Sequence, residues 1–202
     1  MSKGFIFLLC GLVWLSSCQP KLQYRWDWRE AHPSYHQIAL SEVKTTGAEL
    51  LDYTPKDYQR YCPEYPQLNR EQRSLFWASL LSSIARHESS HNTESAYEEH
   101  IKNREGNFVV SRGLLQMSFE SARFYNSELE SPEELHDPRT NMRTGLLAIK
   151  KWVLADGVIA HQGKDGKWQG AARYWSTLRT NWKSEEIRSW LLGIDYSIVG
   201  GE

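Results

Sequence analysis

His87-Glu88-Ser89-Ser90-His91 places two imidazoles, a carboxyl and two hydroxyls within five consecutive residues. One chemistry for that spacing is a zinc site: two His one helical turn apart grip the ion and the Glu between them activates water for peptide hydrolysis. It requires the helix to run through His91 and a third ligand to follow. Asn92-Thr93 is weak helix material, and Glu94, Glu98, Glu99, His100 and Glu128 are the downstream donors. A second chemistry needs Glu88 alone. Trp77, Leu80, Leu81 and Ile84 form an apolar helical stripe that runs into Glu88. A carboxyl there, at a helix C-terminus, meets burial and the negative end of the macrodipole, both of which disfavour its anion. It suits a proton donor that must stay neutral near pH 7.

The elements that must position these residues are mostly helical. Asn69 with Gln72 three residues on forms a capping-box pattern ahead of a helix from Arg70 to Glu88. Residues 89–111 lack helical periodicity, and Arg104-Glu105-Gly106-Asn107 before Phe108-Val109-Val110 predicts a turn feeding a short strand. Ser118 caps a helix to about Tyr125, and Asp137-Pro138 opens one that stops near Gly157. Lys164-Asp165-Gly166 marks a turn, Ala171 to Leu178 reads as a helix, and Ser184 starts another through Leu192. Residues 18–56, with a helix over 41–51, read as a tether and an outer wrap. The expected fold class is mostly α (α+β), a helical domain with a small β-hairpin or irregular lobe bordering a cleft, over residues 57–202.

Four segments in order carry a resemblance. Glu88-Ser89-Ser90 follows an apolar helix; Ser111-Arg112-Gly113-Leu114-Leu115-Gln116-Met117-Ser118 follows the hairpin. Asp137-Pro138 comes with Asn141 and Gly145, and Ala171-Ala172-Arg173-Tyr174-Trp175 closes the set. Together they resemble the lysozyme-like superfamily, specifically the soluble lytic transglycosylase domain and goose-type lysozymes, over roughly Tyr61 to Leu192. Glu88-Ser89 resembles the catalytic Glu-Ser of that family, and the second segment its Gly-Leu-Met-Gln-Ile. The resemblance implies cleavage of the β-1,4 bond of peptidoglycan glycan strands, with Glu88 as general acid and no cofactor or metal. It further implies that Gln116 reaches into the cleft, that Met117 and Gly113 shape its floor, and that Tyr174 orients Glu88 or the sugar through its hydroxyl. Ser89 and Trp175 belong to the same substrate-binding set. Trp175 stands where the family usually has Asn, so no Asn role carries over.

A hydrolase of the inverting type also needs a second carboxylate to activate water, whereas a lytic transglycosylase needs none. Glu94, Glu98, Glu99 and Glu105 are the candidates. With only Lys102 and Arg104 against these four, the lobe has an excess of two negative charges, which would favour de-N-acetylated, cationic sugars. A peptidoglycan-binding scaffold without turnover is the non-enzymatic alternative, and the intact Glu88 argues against it.

Composition bounds the rest. A formal charge of -1 with no long basic run gives no footprint for nucleic acid. Nine Trp and ten Tyr offer core and stacking surface alike. Lys3 and the apolar run Gly4 to Leu15 read as an export signal over residues 1–17. Leu15-Ser16-Ser17-Cys18 resembles the bacterial lipoprotein box, which implies a lipid on Cys18 and, with Gln19 next, an outer-membrane anchor facing the periplasm. Cys62 is then the sole thiol left, with no disulfide to form. The expected protein is a monomer held beside an insoluble substrate.

Overall fold

The computed structural model describes residues 32–198, so the expected signal, Cys18 and the start of the tether lie outside the described residues. The molecule is mostly α with a small antiparallel β part, as expected. No helix among the described residues is long and apolar enough to cross a membrane.

Helix α1 (Pro33–Thr45) is followed by a single turn, α2 (Ala48–Leu51). The helix expected over 41–51 is therefore two, and the first begins eight residues earlier. The break falls where Thr45 Oγ1 bonds back to the Ser41 carbonyl at 2.9 Å and Gly47, a poor helix former, follows. Helix α1 packs on the two long helices, and Ala39, Val43, Leu50 and Leu51 are buried. Among the described residues the packing thus takes in α1 as well as the residues after the expected boundary of 57.

Helix α3 (Arg70–Ser89) is the centre of the molecule, opened by Asn69 and Gln72 in the expected capping box. Every residue from Ser74 to Ala85 is buried, the serines included. Helix α4 (Phe119–Tyr125) starts on the Ser118 cap, and α5 (Pro138–Asp156) runs from the Asp137 cap to Gly157 in the left-handed conformation. Helix α6 (Trp182–Leu192) packs on α3. It starts two residues before the expected Ser184, because Asn181 is the cap and Ser184 supplies the N–H it accepts at 3.0 Å.

Strands β1 (Ala96–Lys102), β2 (Phe108–Arg112) and β3 (Met117–Ser118) form one antiparallel sheet in sequence order. Ala96 pairs Arg112 and Lys102 pairs Phe108, with a register shift between Glu98 and Lys102. The Lys164–Gly166 turn joins a second pair, β4 (Ala160–Gln162) and β5 (Trp168–Gly170), which the sequence did not signal. The helix expected over 171–178 is two short 3₁₀ turns, Ala171–Arg173 and Ser176–Leu178. Asp156 pins the first by accepting from Gly170 N and the Arg173 guanidinium, and the indole of Trp175 between them reaches the Leu115 carbonyl at 2.9 Å.

One ion cluster ties α1 to α5. Glu42 is only 1% exposed, and its carboxylate accepts from Arg139 at 2.7 Å, Arg143 at 3.0 Å and Thr46 at 2.9 Å. Burial pushes this carboxyl up, but those hydrogen bonds together outweigh it and hold it below the ordinary carboxylate value. A depressed native pKa contributes stability that is present above the unfolded-state value and lost as pH falls through the native one. Glu42→Gln should therefore lower stability by about 1–3 kcal/mol at neutral pH. The deficit should shrink in acid, as read by denaturant titration at several pH values, and a deficit that does not change with pH refutes this account.

Candidate active site

Helix α3 ends in a way that fixes Glu88. Ser90 and His91 both have positive φ, 54° and 63°. Ser90 N donates to the Arg86 carbonyl at 3.2 Å, the bond of an αL close, and His91 N reaches back to that of Ala85 at 3.4 Å. A left-handed histidine costs about 1–3 kcal/mol. It is held by its ring, which is buried with Nε2 at 2.9 Å from the Ser82 carbonyl. The zinc reading fails on this geometry: the helix stops at Ser89, so His87 and His91 do not share a helical face. His87 instead lies edge-on to Trp182 and 3.6 Å from Glu186, and burial pushes its pKa down to about 4. Among the described residues no three His, Cys, Asp or Glu side chains gather at metal-binding distance.

Glu88 opens into a cleft of about 680 Å³ between the hairpin and the helices. The hairpin wall shows strand periodicity: Tyr97, Glu99 and Ile101 from β1, with Val109 and Ser111 from β2. Across from them stand Glu88, Tyr174, Ser176 and Lys183, with Gln116, Ser118 and Ser121 also in the lining. Of the four candidate second carboxylates, only Glu99 lines this cleft. Its Oε1 accepts from the Ser111 hydroxyl at 2.9 Å. Glu98 alternates away from that face, Glu94 caps its own loop by accepting from Thr93, and Glu105 borders a neighbouring groove between the hairpin tip and α4.

Burial pushes the Glu88 carboxyl above the ordinary value, the Thr177 hydroxyl and the Lys183 ammonium pull it back, and the Glu99 charge pushes it up again. The net direction is upward, the one a general acid needs. Thr177 Oγ1 donates to Glu88 Oε1 at 2.9 Å. No residue pattern pointed to Thr177, which sits in the segment read as helix. Tyr174, expected to orient Glu88 or the sugar, lines the cleft, with its hydroxyl buried beside Ser118 and Ser121 and in the field of the Glu88 charge.

Several expected substrate contacts stand behind the cleft wall. Ser89 Oγ donates to the carbonyls of Ala85 at 3.1 Å and Leu114 at 2.8 Å, which ties the helix end to the next segment. Met117 is fully buried, and Trp175, though part of the lining, is 2% exposed. Gly113 is a tight turn position outside the cleft lining: its φ is +73°, and a Cβ there would lie 2.0 Å from the Leu135 carbonyl oxygen. Gly145 admits Leu115, whose Cδ1 would lie 2.2 Å from a Cβ. Asn141, wholly buried, accepts from Leu115 N at 2.9 Å and donates to the Leu135 and Arg112 carbonyls at 2.8 and 3.2 Å. Gln116 does line the cleft, but its amide donates to the Ser95 and Gly113 carbonyls at 3.0 and 2.8 Å. Cys62 is buried, its thiol pushed up to about 12 by desolvation, so it supplies no thiolate.

A carboxyl whose native pKa is raised lowers stability as pH climbs from the unfolded-state value through the native one, because over that interval the native state binds more protons. Glu88→Gln removes the ionisation while keeping an acceptor for Thr177. The variant should melt above the wild type at pH 8, and the gap should close as the pH falls below the ordinary carboxylate range. Equal melting temperatures at both pH values would show that Glu88 pays no desolvation penalty.

No protein-family model matches the chain, and no curated protein does. Solved structures do. One titled Bd0314 DslA, wild-type form 2, is 38% identical, covers 83% of this chain and 91% of its own, and superposes with a TM-score of 0.76. A glutamate-to-glutamine mutant of the same protein at its own position 143 is 37% identical, with coverages of 85% and 96% and a TM-score of 0.77. A second such mutant, at its position 154, is 37% identical with coverages of 83% and 91% and a TM-score of 0.76.

Proposed function

The chain belongs to the same family as Bd0314 DslA, and we propose that it is a lysozyme-like enzyme that cleaves peptidoglycan glycan strands at the β-1,4 bond, with Glu88 as general acid. The observation that carries this reading is a half-buried carboxyl of raised pKa in an open groove, held on one oxygen and facing a second carboxylate. The groove suits a chain of sugar rings, and its polar lining offers hydroxyls and carbonyls for their hydroxyl groups. The two glutamates replaced in the Bd0314 DslA structures lie eleven positions apart, the separation of Glu88 and Glu99 here.

Glu88 gives its proton to the glycosidic oxygen as the C1–O bond breaks and positive charge builds on the ring. The charge is then quenched in one of two ways. Water attacks C1 while Glu99 takes its proton, leaving a reducing end; or the 6-hydroxyl of the muramic residue attacks C1, its proton returning to Glu88, and an anhydro end results. The pairing of Glu88 with Glu99 across the cleft favours the hydrolytic route. Glu99 is also where the acidic lobe narrows to one charge, so a preference for de-N-acetylated sugar depends on a glucosamine ammonium reaching it, with Lys183 on the opposite wall repelling the same cation. Lipid anchoring at Cys18 in the cell envelope, facing the periplasm, would keep such an enzyme, a monomer, beside its insoluble polymer.

Glu88→Gln should abolish release of fragments from sacculi while leaving sacculus binding intact; undiminished release removes the assignment. Glu99→Gln should cost about 100-fold or more on the hydrolytic route. Mass spectrometry of the fragments separates the routes. Reducing ends fit Glu99 as base, and anhydro ends with a nearly unaffected Glu99→Gln variant would assign the intramolecular route. Equal rates on acetylated and deacetylated sacculi would dispose of the proposed preference.

A further inference from the structure

Building on Glu88 as the acid, we propose that Thr177 is its positioning residue: the hydroxyl fixes Oε1 of Glu88, so that the proton to be delivered resides on Oε2. Glu88 is therefore a directed donor. Three observations point to this. Thr177 is 2% exposed and donates to Oε1 at 2.9 Å. Its neighbours in the segment hold no hydrogen bond to the carboxyl: the Tyr174 hydroxyl is buried beside Ser118 and Ser121, in the field of the Glu88 charge, and the Trp175 indole donates to the Leu115 carbonyl at 2.9 Å. The 3₁₀ turn Ser176–Leu178 brings its middle residue, Thr177, to the carboxyl.

A hydroxyl has one proton to give, and giving it to Oε1 leaves that oxygen the poorer site for the carboxyl's own proton. Oε2 is left to carry it. Thr177 also fixes the rotation of the carboxyl plane, which a proton donor needs if it is to meet the glycosidic oxygen at hydrogen-bond distance. The charged and titratable groups around Glu88 come from every element that packs there. Glu99 comes from β1, Lys183 from α6, Arg173 from the first 3₁₀ turn with Asp156 as its ion partner, and Tyr174 follows it; His87 is the neighbour on α3. Lys183 and Thr177 favour the anion, burial and Glu99 the neutral acid. Loss of the Thr177 donor therefore moves the titration of Glu88 upward.

The test uses Thr177→Val, which keeps the shape, Thr177→Ala in case valine distorts the turn, and Thr177→Ser, which restores the hydroxyl. Two readouts are needed. The first is the pH profile of kcat and KM on solubilised glycan strands. The second is the ¹³C titration of the Glu88 carboxyl, assigned by its absence in Glu88→Gln, which requires no turnover. We expect valine and alanine to lower kcat about 10-fold or more with little change in KM. They should shift both the basic limb and the carbon midpoint to higher pH, and serine should return both toward the wild type. A carbon midpoint in valine and alanine equal to that of the wild type overturns the proposal, as does a serine variant no better than alanine. A wild type that releases no glycan fragments, in combination with the expected carbon shift, would instead defeat the enzymatic reading and leave the Thr177–Glu88 contact standing.

Discussion

A helix enclosed along twelve consecutive residues can present chemistry only where it emerges, and this is the constraint on which the molecule is built. From Ser74 to Ala85 every side chain of α3 is buried, so neighbours surround it on all sides and its course is fixed. The enclosure first loosens at Arg86, Glu88 and Ser89, which are partly exposed, and the left-handed pair Ser90 and His91 then turns the chain away. Glu88 is therefore set in the border between core and cleft. There, desolvation can raise its pKa while a ligand can still approach.

The loop facing that helix end is held by polar groups in an otherwise apolar interior. Asn141 accounts for two backbone groups of that loop, Leu115 N and the Arg112 carbonyl, and ties them to the Leu135 carbonyl, while Ser89 takes the Leu114 carbonyl, so the loop is satisfied from both sides. The glycines at 113 and 145 make this approach sterically possible. Residues that look like substrate ligands in the sequence, Ser89, Gly113 and Met117, are thus parts of the support for the site. The Glu42 cluster on the other side of α5 performs a similar task for α1, through charge instead of amide bonds.

The cleft has opposed electrostatic walls. Strand alternation in β1 sends Glu99 inward and Glu98 outward, so two adjacent carboxyls in sequence have unrelated surroundings. Lys183 stands across from Glu99, and Glu88 lies in the field of both. Its proton affinity is a balance of burial, one hydrogen bond and two opposite charges, and no single one of these sets it.

Periodicity and capping chemistry are local, and they were legible in the chain itself. The Asn69 and Asp137 caps, the stripe from Trp77 to Ile84, the Arg104–Asn107 turn and the stop at Gly157 all stand where their residue types place them. The mostly helical class follows from them, as does Glu88 as a carboxyl at the end of an apolar stripe. The contacts between segments distant in sequence were not legible. The ring of His91 bonding to Ser82, the indole of Trp175 taking the Leu115 carbonyl, and the arrival of Thr177 at Glu88 all depend on which side chain wins a partner across the fold. Those choices ended α3 before His91 and broke the segment after Gly170 into 3₁₀ turns. They also picked Glu99 from four glutamates, because a buried polar group must find its partner wherever the packed chain brings one.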